Sequence, residues 1–355
     1  MGLDFRDHRQ DPAAWAAELG ISREAVDLYL ASEVVDLHVD SFLWTRQIGY
    51  DLKKRHGSGL HGAWFSQVDL PRVREAQLAG AMWSITTNPF RRGTRREKVF
   101  LRNLARLRGI LESCGEDVAV ARDMTEYRAA RAAGKHAAFL VVQGGNALDA
   151  EGALDRIPDR LILRVTVVHL TNSSLGATSS PFSRGADGLS DRGRAFVQEL
   201  DARRIFVDLA HVGRKGFFDA VAVHDRKLPL LVTHTGVTGV FDHWRHLDDD
   251  QVRAVAATGG TIGVMCQSQM LGDHTWSGRS ETVVRHMEHV IAVGGEDACS
   301  FGSDWDGMIV GPRDMRTCLE LPRLVQRMLD RNWPEARVRK VLGGNFLRTL
   351  ESLRG

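Results

Sequence analysis

The chain has 355 residues, with 47 Lys and Arg against 45 Asp and Glu and a formal net charge of +2. That near-neutral balance argues against a nucleic-acid or membrane-surface protein held by bulk charge. With 43% hydrophobic and 26% charged residues, it also excludes a disordered or low-complexity chain. The N-terminal segment MGLDFRDHRQDPAAWAAELG has charges throughout and no apolar stretch of the kind a secretory signal carries. Arg6 stands where a myristoylation signal has Ser or Thr. No apolar run approaches the ~18 residues that a membrane span needs. A cytoplasmic protein without membrane or nucleic-acid partners is expected. The scattered cysteines, Cys114, Cys266, Cys299 and Cys318, form no C-x-x-C pair and read as reduced thiols. Fourteen histidines is a high count, so their placement carries information.

Short apolar runs rich in β-branched residues recur along the chain. In order they are Val34–His38, Ala79–Ile85, Ala137–Val142, Leu161–Val168, Ile205–Leu209, Leu230–Thr233, Thr261–Met265 and Cys299–Gly302. Near-continuous apolar runs fit strands buried on both faces of a parallel sheet. Amphipathic helices are predicted between them. One runs from Asp191 to Arg203 with Ser190 as its N-cap. Another runs from Leu247 to Thr258, with an acidic first turn and a Gly259-Gly260 stop. A third, Glu281 to Val293, carries a stripe of Val283, Val284, Met287, Val290 and Ile291. Eight strands alternating with helices predict an α/β fold, a (β/α)8 TIM-type barrel, over residues 1–355 as a single domain. The extra length goes to an N-terminal helix, an insertion between the second and third strands, and a C-terminal helical tail. The open doubly wound sheet is the runner-up, weakened by the lack of a G-x-G-x-x-G after the first strand. The insertion, from about Asn88 to Tyr127, is strongly basic and reads as a solvated structural segment.

Barrel chemistry gathers at the C-terminal ends of the strands. Here those ends carry His38 and Asp40, then Gln143, His169, His211, His234 and Asp304. His38 and Asp40 are two apart and share a strand face. Imidazole and carboxylate together suit a borderline ion such as zinc. A lone strand-end histidine is more often structural. The full set, on ends that converge only if the barrel closes, favours a metal. Arg245, in the loop after the sixth strand, has a planar fork suited to a substrate carboxylate. Trp83 and Trp305 are candidates for a pocket wall, against packing as the default. The other histidines are expected on the surface or in packing.

These residues resemble the membrane dipeptidase (renal dipeptidase) family of zinc peptidases, in the amidohydrolase superfamily. The resemblance runs through Asp36-Leu37-His38-Val39-Asp40, Val68-Asp69-Leu70-Pro71-Arg72 and Gly80-Ala81-Met82-Trp83-Ser84. It continues through Gly188-Leu189-Ser190-Asp191-Arg192-Gly193, Val207-Asp208-Leu209-Ala210-His211 and Thr233-His234-Thr235. It ends with Gly302-Ser303-Asp304-Trp305-Asp306-Gly307 and Leu342-Gly343-Gly344-Asn345-Phe346-Leu347-Arg348. The resemblance implies a barrel with two zinc ions and hydrolysis of dipeptides, including ones with a D-residue at the C-terminal position. It implies that His38 and Asp40 hold one metal and His211 and His234 the other. It places His169 beside the scissile carbonyl, Arg245 on the substrate carboxylate and Asp304 as the proton shuttle. It also brings homodimer formation as an expectation.

One position departs from that pattern. The family's bridging glutamate lies in a Glu-Gly-Gly-His stretch, which here reads Gln143-Gly144-Gly145-Asn146. Glutamine offers one carbonyl oxygen and no charge. Two divalent ions outweigh Asp40, Asp304 and a bridging hydroxide by one positive charge, which that glutamate would neutralise. The expectation is a metal-dependent dipeptidase with one or two zinc ions and Gln143 as a weak ligand. The alternative is a dipeptidase fold whose peptidase activity is altered or lost in favour of a tailoring or binding role.

Overall fold

The computed structural model describes residues 2–57, 62–87, 95–181 and 187–355. His61 and the Arg91-Arg92-Gly93-Thr94 stretch fall outside the described residues. Among the described residues there are nine parallel strands: β1 (Val35–Val39), β2 (Gly80–Thr86), β3 (Val118–Val120), β4 (His136–Gln143), β5 (Ile162–Thr166), β6 (Phe206–Asp208), β7 (Leu231–Thr235), β8 (Thr261–Val264) and β9 (Cys299–Phe301). Eight of them follow one another in the order β1-β2-β4-β5-β6-β7-β8-β9. The ring closes where Val39 bridges Trp305 in parallel, giving a (β/α)8 barrel. Every residue of these eight strands is buried. Their sequences accordingly show no polar alternation.

Each of the eight apolar runs overlaps one barrel strand. β3 was not expected. It is three residues long, too short to stand out as an apolar run, and pairs with the start of β4 through Val118↔His136 and Val120↔Ala138. It belongs to the insertion after β2, which consists of a long helix Arg95–Glu112, β3, and a helix Met124–Ala132.

The helix starts follow local chemistry. Ser190 caps Asp191–Ala202 by accepting from Gly193 N–H, and Asp248 with Gln251 forms a capping box on Asp249–Ala257. Gly263 and Gly302 allow β7, β8 and β9 to draw together, since a Cβ there would lie 2.1 and 1.8 Å from Thr233 O. At the far end, the tail helix Asn345–Arg354 packs Phe346 against Phe139 and Phe206. All four cysteines are buried and unpaired. Among the described residues no helix is long and apolar enough to cross a membrane.

Candidate active site

The barrel brings every nominated residue to its C-terminal end. His38 lies in β1, with Asp40 just beyond it. Gln143 ends β4 and His234 lies in β7, while His169, His211 and Asp304 follow β5, β6 and β9. His38 Nε2 is 3.4 Å from Asp40 Oδ2 and 3.9 Å from Asp304 Oδ1. His211 Nε2 and His234 Nε2 are 2.9 Å apart, and Gln143 Nε2 lies 3.2 and 3.4 Å from them. The His38 ring stacks on that of His234 at 3.9 Å, and His169 meets His211 edge-on at 4.6 Å. Arg245 donates from Nη2 to His234 O at 2.7 Å.

The backbone shapes this cluster. Asp304 N–H donates to His38 O at 3.1 Å, and Asp40 N–H donates to Trp305 O at 2.9 Å. Those two bonds stitch the last strand to the first where the acids emerge. His211 and Asp304 sit in the left-handed region, with φ of +67° and +64°. Such a conformation costs a non-glycine residue about 1 kcal/mol or more and persists where the surroundings enforce it.

The second neighbours of the imidazoles differ. Thr233 Oγ1 donates to Asp208 Oδ2 at 2.8 Å and so accepts from His234 Nδ1 at 2.9 Å. His234 Nε2 is left with its lone pair facing the site, the arrangement of a metal-ligating histidine. Arg164, fully buried, pairs with Asp208 Oδ2 at 3.0 Å and donates from Nη2 to His38 Nδ1 at 2.9 Å. A neutral His38 therefore carries its proton on Nε2, a buried atom with no hydrogen-bond partner among the described residues.

Gln143 Oε1 is 3.0 Å from Thr86 Oγ1, whose hydroxyl proton goes to the Asp40 carboxylate. With the amide turned over, its NH₂ would donate to Thr86 and its carbonyl oxygen would face His211 and His234. One atom each from His38, His234 and Asp304 also fall within 4.8 Å of one another. The donor set suits a divalent metal. The fit is direct at His234, at Gln143 it requires the amide to turn over, and at His38 it requires the Nε2 proton to leave.

Burial dominates the electrostatics. It holds His211 and His234 well below the usual imidazole range and brings His169 to about 3, with Arg245 adding to the effect on each. Burial also pushes Asp304 well above the usual carboxylate range, helped by Asp40 and opposed by Arg245. Asp40 is desolvated too, but His38 beside it and the Thr86 hydroxyl carry it down to about 2. The two carboxyls are thus driven in opposite directions, Asp40 down and Asp304 up.

The cluster opens into a cavity of about 970 Å³ lined by Asp40, Gln143, His169, His211, Arg245 and Asp304. Trp83 and Trp305 do not line it. Both are fully buried in packing, as the default reading has it. The aromatic lining is buried Phe100 and exposed Trp244, and Leu170 and Met308, also exposed, line the cavity too. Trp244 directly precedes Arg245, which could have marked it. Arg46, Arg96, Arg102 and Arg106 also line the cavity, and nothing in the strand-end pattern pointed to them.

Residues 22–354 match the sequence model of the family described as membrane dipeptidase (peptidase family M19). The chain belongs to that family. Solved structures agree. A dipeptidase described as a metallopeptidase of family M19 superposes with a TM-score of 0.82 at 25% identity, covering 91% of this chain and 99% of its own. A metallopeptidase from Rhodobacter sphaeroides, liganded with a phosphinate mimic of the dipeptide L-Ala-D-Ala, gives 0.81 at 24% identity over 91% and 99%. An amidohydrolase from Pseudomonas aeruginosa gives 0.74 at 23% identity over 93% and 98%. The two latter likenesses concern the fold.

Proposed function

We propose that this family member is a metal-dependent dipeptidase, with zinc as the ion. The observation that carries the reading is the convergence of His211, Gln143, Asp40 and Asp304 beside Arg245 on one cavity, with His234 and His38 directly against them. His211 and His234 would hold the metal with the Gln143 carbonyl, and His38 with Asp40 would hold a second. Zinc held by such residues lowers the pKa of water and polarises a carbonyl. Asp304 takes the proton released by the attacking water and delivers it to the leaving amine, a role suited to a carboxyl raised by burial. His169, kept neutral by burial, donates an N–H to the carbonyl oxygen as charge develops there. Arg245 grips the free carboxylate of the substrate, which limits the reaction to short peptides. Dipeptides ending in a D-residue are included on the strength of the family resemblance. A cytoplasmic homodimer remains part of this reading.

The test is a panel of L,L and L,D dipeptides, each beside its C-terminally amidated form, with zinc-loaded protein. Turnover of free dipeptides and not of amides is expected, and no turnover of any member would sink the reading. A second reading rests on Gln143. In it the fold serves a tailoring or binding role, and peptidase activity is altered or lost. Gln143→Glu separates the two. A large gain in peptide hydrolysis shows that the natural residue had given that activity up, whereas a fall shows that Gln143 is tuned to the reaction.

A further inference from the structure

One wall of the cavity is basic. Arg46 comes from the short helix Ser41–Gln47, and Arg96, Arg102 and Arg106 from the long helix Arg95–Glu112. Arg245 adds a fifth guanidinium. Among the described lining residues Asp40 and Asp304 are the acids, and both belong to the strand-end floor.

Arg102 and Arg106 are one helical turn apart and so share a face of the long helix. Their partners are few. Arg106 makes one long hydrogen bond, 3.4 Å to Thr45 O. Arg102 is exposed and has no hydrogen-bond or ion-pair partner among the described residues. Arg96 stays 3.8 Å from the nearest carboxylate oxygen, on Asp149. Arg108, two residues beyond Arg106, instead pairs with Glu112 at 2.7 Å and Asp159 at 3.3 Å. The long helix thus neutralises one of its arginines locally and leaves those at the cavity under-paired.

A dipeptide anchored at Arg245 by its carboxylate and at the floor by its amide leaves much of ~970 Å³ unfilled. A guanidinium fork matches a second carboxylate in shape as well as charge. A cluster of like charges in a concave surface also concentrates anions and repels cations. We propose that the arginine wall selects dipeptides bearing an acidic side chain, with Arg102 and Arg106 as specificity-determining residues. This rests on the dipeptidase reading and extends it from reaction to substrate class.

The experiment compares isosteric pairs on zinc-loaded enzyme, Ala-Glu with Ala-Gln and Glu-Ala with Gln-Ala. Ala-Lys serves as the cationic counterpart. In low salt, kcat/KM for the acidic member of at least one pair is expected to exceed its amide by about ten-fold, with Ala-Lys lowest. In the double variant Arg102→Gln, Arg106→Gln, and in ~0.5 M salt, that ratio should fall to about three-fold or less. Both residues lie on the surface, so the thermal midpoint should hold. Equal rates within both pairs, or a ratio unmoved in the double variant, would overturn the proposal while leaving the dipeptidase reading intact. If no dipeptide is turned over, that reading fails first. Calorimetric binding of Ala-Glu against Ala-Gln then decides the wall by itself. Tighter acid binding that weakens in the double variant supports it, and equal or absent binding overturns it.

Discussion

The floor and the wall of the cavity are built differently. The floor is a set of strand ends, nearly or fully buried, in which most side chains are held by a second residue. Asp208 accepts from Thr166, Thr233 and Arg164, and through Thr233 and Arg164 it fixes His234 and His38. The wall is borne by helices, and its outer arginines are exposed and thinly paired. Burial displaces the titration of the floor groups, downward at His169, His211 and His234 and upward at Asp304. The contrast suggests a division of labour, with chemistry on preorganised strand ends and selection on an adjustable surface.

The sharpest way to break that contrast is to remove the metal. Chelation should lower turnover by about 10³ or more, with zinc restoring it, while binding of an acidic dipeptide at the wall persists in part. A chelated protein that keeps full activity would end the division. Next comes Asp304→Asn. It should lower kcat by about 10² to 10⁴ with little change in KM, because it removes a proton carrier and not a binding group. A KM effect alone would move Asp304 to the wall's side of the comparison. Arg245 stands where floor meets wall. Arg245→Lys keeps the charge but loses the fork, and KM for free dipeptides should rise roughly 10- to 100-fold, with no change in the binding of amidated forms.

The smallest effect tests the other end of the barrel. His136, at the start of β4, accepts from Trp83 Nε1 at 3.1 Å and donates from Nδ1 to Leu78 O at 3.0 Å. Burial holds it at about 3, so it is neutral in the fold. The unfolded chain takes up a proton below about 6.5 and the folded chain does not. Stability from this residue is therefore complete above pH 6.5 and is lost progressively as pH falls toward 3. At pH 5 the loss is about 2 kcal/mol. Denaturant titrations at pH 7.5 and 5 should show a smaller difference for His136→Gln than for the natural protein. Equal differences would mean that His136 is charged in the fold.

The floor could be read from the sequence because its signals are local. His38 and Asp40 are two residues apart in a strand, and the apolar runs carry no competing pattern, so their ends are easy to place. Ser190 declared a helix start by its type alone. The wall escaped because its logic is tertiary. On the long helix, Phe100, Leu104, Leu107 and Leu111 form the buried stripe, and the remaining arginines look like an ordinary solvated face. Only the placement of that helix over the cavity gives them a role. Arg164 escaped for a related reason. A single cation inside Leu161–Val168 does not disturb a strand reading, and its partners His38 and Asp208 are distant in sequence. β3 lacked the length to be seen, and its pairing depends on β4.

β3 has a consequence for how this enzyme could diversify. The chain leaves the mouth after β2, descends the long helix, and is pinned at the base where β3 zips onto the first residues of β4. At 18 residues the helix is about 27 Å long. The excursion is thus fastened at the base of the barrel and displays its arginines at the top. A segment moored this way behaves as a cassette. Exchanging residues 95–117 between relatives, with both moorings kept, would swap one substrate preference for another and leave the hydrolytic machinery untouched.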